Sequence, residues 1–166
     1  MNKAKFLFIS TSRVYPVALL QEIPIEEDHT RLRWCPPRED EPYRTIEGLG
    51  IKTPTNGGYR SLYGSSKLAA EMLVEEYACA YGISASSIRF GVIAGPWQMG
   101  KVDQGFLTYW LAAHIYQKPL KYFGFGGKGK QVRGVLHIKD AVDSILRVMS
   151  DIGQQNLYQI AGGLKS

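Results

Sequence analysis

A tyrosine and a lysine four residues apart, Tyr63 and Lys67, stand at the start of the best-defined helical pattern in the chain, within Leu62-Tyr63-Gly64-Ser65-Ser66-Lys67-Leu68. On a helix that spacing puts both side chains on one face, one turn apart. A phenol with an ordinary pKa of about 10 is a poor base near neutral pH, and a neighbouring ammonium favours the phenolate. The pair has the makings of a proton-transfer device. The same spacing also describes an ordinary exposed helix start, so the elements around it decide.

Those elements alternate between strand and helix. Lys5-Phe6-Leu7-Phe8-Ile9 is a short apolar run that predicts a buried parallel strand, followed by the hydroxyl-rich loop Ser10-Thr11-Ser12. Open parallel sheets bind ligands at the carboxyl ends of their strands, which puts Ser10, Thr11 and Ser12 where site residues are expected. Small hydroxylated residues that merely end a strand are the alternative. The helix opened by Tyr63 is predicted over about 65–81, with Gly82 as its stop. It is apolar on more than one side, as for a helix that packs on a sheet and also on a neighbouring helix. A second strand is predicted over 85–93 before the turn Ala94-Gly95-Pro96, helices over 106–116 and 139–149, the latter capped near Asp140, and short strands at 121–123 and 157–160. No internal repeat is present.

Between residues 16 and 58 the character changes. Six of the eight prolines fall here, at 16, 24, 36, 37, 42 and 54, among charged clusters, so sparse regular structure and a long surface excursion are expected. Trp34, Tyr43 and Tyr59 offer flat surfaces for a base or sugar, or pin the excursion to the body. The segment Gly126-Gly127-Lys128-Gly129-Lys130-Gln131-Val132-Arg133 interleaves glycines with cations and reads either as a phosphate cradle or as a solvated basic hairpin. It lacks the Gly-Lys-Ser/Thr ending of a Walker loop.

Composition bounds the possibilities. With 166 residues and 45% hydrophobic content the chain suits one compact domain, and a net charge of +5 suits an anionic ligand such as a nucleotide or diphosphate without calling for nucleic acid. Cys35 and Cys79 belong to no Cys-x-x-Cys pattern, and His29, His114 and His137 are scattered, so two free thiols and no metal site are expected. No signal peptide or membrane-spanning run is seen, and a cytoplasmic protein is expected.

The motifs Thr11-Ser12-Arg13-Val14-Tyr15, Tyr63-Gly64-Ser65-Ser66-Lys67, Arg89-Phe90-Gly91-Val92-Ile93-Ala94-Gly95-Pro96 and Gly127-Lys128-Gly129-Lys130-Gln131-Val132-Arg133 occur in the order seen in extended short-chain dehydrogenases/reductases. Over nearly its whole length the chain resembles the NAD-dependent nucleotide-sugar epimerase/dehydratase family. Within that family, Asp103-Gln104-Gly105, Val135-Leu136-His137 and Ile160-Ala161-Gly162-Gly163 look most like CDP-paratose (CDP-tyvelose) 2-epimerases. The resemblance implies an α/β, partial Rossmann-like fold: the C-terminal part of the parallel sheet plus a small substrate-binding region over 97–140. It implies Thr11, Tyr63 and Lys67 as catalytic residues, Tyr63 and Lys67 also as NAD-binding residues, and Thr11, Ser12 and Arg133 as substrate-binding residues. Tyr63 would be the acid/base, Lys67 would lower its pKa and hold the nicotinamide ribose, Thr11 would hydrogen-bond a sugar hydroxyl, and Arg133 would hold the substrate phosphates. NAD would carry the redox chemistry and return to its starting state in each cycle.

The sequence also departs from the family. No Gly-x-x-Gly-x-x-Gly motif precedes Lys5, Gly134 stands where an Asp commonly follows the arginine, and Gly91 stands where many relatives carry Asn. The expectation is a single truncated domain over 1–166, the C-terminal half to two-thirds of an epimerase-like protein, with residues 16–58 as an insertion. Its implied partners are a nucleotide sugar and either a second copy or a separate chain supplying the missing dinucleotide-binding half. The alternative is a catalytically silent domain that binds a nucleotide sugar or another protein.

Overall fold

A computed structural model describes residues 4–46, 48–101, 104–153 and 155–163. Its centre is a parallel sheet of β1 (Lys5–Thr11), β4 (Ser84–Phe90) and β7 (Leu157–Ile160), with β4 in the middle. The remaining elements in chain order are α1 (Val17–Glu22), β2 (Ile25–Glu27), β3 (Leu32–Trp34), α2 (Leu62–Tyr81), β5 (Val92–Ala94), α3 (Phe106–Ile115), β6 (Val135–His137) and α4 (Ile138–Ser150).

Alternation along β4 divides the sheet into two unlike faces. On one face Ile88 and Phe90 join Leu136 and the α4 residues Ala141 and Val148 in the buried core, with Leu7, Ile145, Tyr158 and Ile160 packed around them. Ala141, Ile145 and Val148 recur at the spacing of one helical stripe, which is why α4 lies on the sheet here. On the other face β1, β4 and β7 present Ser10, Arg89 and Gln159 in a row, because Ser10 pairs with Arg89 and Arg89 with Gln159 in the parallel register. Helix α2 covers that polar face.

The first strand runs two residues further than its apolar run predicts. Ser10 and Thr11 continue the pairing, opposite Arg89 and Phe90, and the loop begins only at Ser12 with a single 3-10 turn. The strand predicted over 85–93 is two strands, because the chain changes neighbours at Gly91. Phe90 pairs with Ile160 of β7, whereas Val92 pairs with Val135 of β6. Gly91 sits where the backbones crowd: a Cβ there would lie 3.1 Å from the Gly134 carbonyl oxygen.

Helix α2 is capped by Ser61, whose hydroxyl accepts from the Gly64 N–H at 3.1 Å, and ends at Gly82 in the left-handed conformation that glycine adopts without strain. It packs on β1, β4 and the turn after β1. Its outer side carries the exposed residues Met72, Leu73, Tyr77 and Tyr81. Helix α4 starts one residue before its predicted first residue and takes its cap from His137, whose Nδ1 accepts from the Lys139 N–H at 3.2 Å.

No strand forms at Lys121–Phe123. That segment's carbonyl at Phe123 accepts from the Gln131 side chain at 2.7 Å, and Tyr122 packs its ring against Trp110 with centroids 5.1 Å apart. The proline-rich excursion carries α1 and the β2–β3 hairpin. Its irregular part is locked by Arg44, whose fully buried guanidinium donates to the Cys35 and Pro36 carbonyls and to Glu41 at 2.6 Å. Both cysteines are free thiols. No helix among the described residues is long and apolar enough to cross a membrane.

Candidate active site

The turn after β1 and the first turn of α2 meet at the carboxyl end of the sheet, and one glycine lets them do so. A Cβ on Gly64 would lie 2.1 Å from the Arg13 carbonyl oxygen, so only glycine allows α2 to start this close to the Ser12–Val14 turn. Thr11 is buried at the mouth of that turn. Its Oγ1 accepts from the Arg13 N–H at 3.3 Å, which leaves its own hydroxyl hydrogen free to donate. Ser12 is half-buried beside it, and Tyr63 stands half-exposed on α2 next to Gly64.

Lys67 points back along α2 toward β1. Its Nζ donates to the Ile9 carbonyl at 2.8 Å and lies 4.8 Å from the centre of the Phe8 ring. The ammonium is therefore held against the sheet. Ser10, expected as a neighbour of Thr11 in one loop, turns instead into the interior and donates its hydroxyl to Glu71 Oε1.

That contact opens a network which sequence reasoning missed. Glu71 follows Lys67 by one turn and takes Arg89 Nε at 3.0 Å and Nη2 at 2.6 Å on its carboxylate. Arg89 Nη1 donates to the Tyr15 hydroxyl at 3.2 Å, Tyr15 donates to Gln159, and Gln159 Nε2 donates to the Leu49 carbonyl at 2.5 Å. Burial pushes the Tyr15 phenol above its ordinary value, although the Arg89 hydrogen bond and charge oppose this. Burial also opposes the charge on Arg89, but bonds to Glu71 and Tyr15 outweigh it and hold the guanidinium above its ordinary value. The signal was the Tyr63, Lys67, Glu71 series at four-residue spacing, which places all three on one face of α2.

Arg133 lies apart from this cluster. It lines a cavity of about 340 Å³ with Thr30, Arg31, Phe106, Leu107 and Gln131, within the size range of small-molecule sites. Its Nη2 donates to Gln131 Oε1 at 3.2 Å. Phe106 and Leu107 open α3, whose cap residue Gly105 offers no side chain to their N–H groups. Lys128 and Lys130, possible cradle residues by sequence, are engaged elsewhere: both bind Glu27 of the hairpin, at 3.1 and 2.8 Å. Those bonds, Lys130's first, hold the Glu27 carboxyl below its ordinary range. Asp103 lies outside the described residues. Among the described residues no group of three His, Cys, Asp or Glu side chains could hold a metal ion.

A parallel sheet with helices on both faces, with hydroxyl, phenol and ammonium groups at its carboxyl end, defines a Rossmann-like α/β protein of the short-chain dehydrogenase/reductase type. The chain belongs to the NAD dependent epimerase/dehydratase family, which it matches over residues 1–161. It is 27% identical over 165 residues to a CDP-paratose 2-epimerase of Salmonella typhi, covering 97% of this chain and 45% of that protein. It is 31% identical over 88 residues to a probable UDP-glucuronate 4-epimerase of Rhizobium meliloti (strain 1021), covering 53% of this chain and 24% of the relative. The chain thus spans less than half the length of these relatives.

Solved structures share the fold. A dTDP-glucose 4,6-dehydratase of Bacillus anthracis str. Ames, solved in complex with NAD, superposes with a TM-score of 0.63 at 23% identity, over 95% of this chain and 40% of that one. A UDP-glucose 4-epimerase of Thermotoga maritima, solved with UDP-glucose, gives a TM-score of 0.62 at 20% identity, over 95% and 41%.

Proposed function

We propose that this chain carries the proton-transfer and nucleotide-sugar-binding part of an NAD-dependent epimerase, acting on a CDP-sugar at carbon 2. The observation that carries this reading is the Gly64 contact, which brings Thr11 and Tyr63 to the same end of the sheet. The CDP-sugar preference is supported by similarity to the Salmonella typhi enzyme over 97% of the chain.

The residues present fit one end of the cofactor. Tyr63 and Lys67, a phenol and an ammonium one helical turn apart, suit a nicotinamide ribose, whereas no described loop supplies the glycine-rich turn that cradles a pyrophosphate. Bound NAD supplies hydride acceptance and return at the sugar carbon. The chain's own residues do the rest. Tyr63 exchanges a proton with the reacting hydroxyl, Thr11 donates a hydrogen bond that orients it, Ser12 lines its path, and Arg133 holds the diphosphate in the substrate-binding region over 97–140. Strand β1 has a neighbour on one side only among the described residues. Further strands pairing with that edge would complete the dinucleotide site, carried by more of the same protein or by another chain. The exposed apolar side of α2 is the surface we assign to pairing with a second copy.

A silent, ligand-binding domain is the second reading. It is favoured by Lys67, whose ammonium is engaged by the Ile9 carbonyl. The test is titration of NAD and a CDP-sugar into the chain, alone and together with a segment bearing the glycine-rich half, followed by turnover. Activity that falls about 10²- to 10⁴-fold in Tyr63→Phe supports the enzyme. CDP-sugar binding without NAD binding in either setting overturns it in favour of the silent domain.

A further inference from the structure

The β2–β3 hairpin is carried to the Arg133 cavity by a set of contacts that use up most of the local charge. Leu32 N–H donates to the Lys130 carbonyl at 2.8 Å, and Lys130 Nζ donates to both Glu27 Oε1 and the Asp28 carbonyl at 2.8 Å. Lys128 adds a second ammonium on Glu27, and Arg33 pairs with Asp28 at 2.9 Å. Glu27 and Asp28 of the hairpin thus engage the two lysines of the glycine-rich segment and Arg33. Two guanidinium groups are left over. Arg133 meets only the neutral amide of Gln131, and Arg31 makes no side-chain hydrogen bond or ion pair among the described residues. Both line the same cavity.

Two cations with no charged partner among the described residues repel each other beside one cavity, and the open amides at the start of α3 add positive potential to the same wall. Such a site gains from an anion carrying more than one charge. Phe106 and Val132, also in its lining, are partly exposed apolar surfaces suited to a planar base. We propose that Arg31 is a second anchor for the diphosphate of a nucleotide sugar, alongside Arg133, and that the hairpin is the device that delivers it. The assignment rests on the nucleotide-sugar reading above and adds to it a residue from the proline-rich excursion.

The experiment is calorimetric titration of CDP and UDP, with cytidine and uridine as uncharged controls, into the unmodified chain, Arg31→Gln and Arg31→Lys. A charge-assisted, bidentate contact of this kind predicts that Arg31→Gln weakens diphosphate binding about ten- to a hundredfold. Nucleoside binding stays as it was, and Arg31→Lys keeps part of the diphosphate affinity. Because Arg31 is exposed, the variant is expected to unfold at the temperature of the parent. Diphosphate binding that is equal in the parent and Arg31→Gln overturns the role of Arg31 alone and leaves the nucleotide-sugar reading standing. Absence of CDP and UDP binding by the parent overturns that reading and this assignment with it.

Discussion

Glu71 and Arg89 face each other inside the protein as a closely hydrogen-bonded ion pair, with both carboxylate oxygens within 3.1 Å of the guanidinium Nε and Nη2 at 2.6 Å from one of them. Side-chain exposure is 9% for the acid and 5% for the base, so neither has water as a substitute partner. The pair joins the middle strand of the sheet to the helix that bears Tyr63 and Lys67. It fixes how far α2 can slide or roll over β4, and hence where the two upstream side chains stand.

Removal of one partner should therefore cost far more than a surface ion pair would. Glu71→Ala strands the Arg89 charge in the interior, for an expected loss of about 3–5 kcal/mol in unfolding free energy. The double change Glu71→Leu with Arg89→Met should recover most of that loss, because no buried charge remains. Urea unfolding of the two variants against the parent reads the difference. A loss under about 1 kcal/mol in Glu71→Ala would mean that water reaches the pair.

Gly64→Ala tests the contact that brings the Thr11 turn to Tyr63. A methyl group 2.1 Å from the Arg13 carbonyl oxygen cannot be accommodated without moving backbone. The expected cost is about 1–3 kcal/mol, seen as a Tm about 2–4 °C lower for each kcal/mol. Gly48→Ala, where a Cβ meets nothing within 4 Å, is the control and should leave Tm unchanged or slightly higher.

The sequence signals that proved legible were the ones set by period and punctuation. Lys5–Ile9, the helix ending at Gly82 and the amphipathic α4 follow from runs of apolar residues, a glycine stop and a 3.6-residue stripe. Long-range choices were not legible. Ser10 could be placed at the end of a strand, but its turn inward depended on Glu71, 61 residues away, meeting Arg89 on the same face. Lys128 and Lys130 look like phosphate ligands until the hairpin supplies Glu27, about a hundred residues earlier in the chain. Arg31 carried no motif at all, and only the folded hairpin sets it beside Arg133. Pairing between distant charges leaves no period in the sequence, so the catalytic-type motif was visible and its electrostatic surroundings were not.

Acid should loosen the excursion through Glu41. The hydrogen bond from Arg44, followed by the Arg38 N–H, holds this carboxyl below its ordinary value of 4.5. A depressed folded-state pKa means that the folded form binds its proton later than the unfolded chain does. The contribution is thus complete above about pH 4.5 and disappears as the pH falls through the folded-state value. Stability measured by urea midpoint from pH 7 to pH 3 should decline less steeply in Glu41→Gln than in the parent. Identical slopes would show that the Arg44 lock does not depend on this charge.

Alkali should act through Tyr15, and in the opposite sense. Its phenol is buried, accepts from Arg89 and donates to Gln159, and burial raises its pKa above the ordinary 10.0. Between pH 10 and the folded-state value, the unfolded chain has lost this proton while the folded chain keeps it. The Tyr15 contribution is complete below about pH 10 and is lost as the pH rises, with a slope of up to about 1.4 kcal/mol per pH unit for a single proton. Tyr15→Phe should lower stability at pH 7, since Gln159 loses its donor and Arg89 an acceptor, yet show a shallower decline above pH 10. Stability curves for the two proteins that stay parallel from pH 8 to pH 11 would mean that Tyr15 ionises as readily in the folded chain as in the unfolded one. The row of Ser10, Arg89 and Gln159 would then be open to solvent at its Tyr15 end.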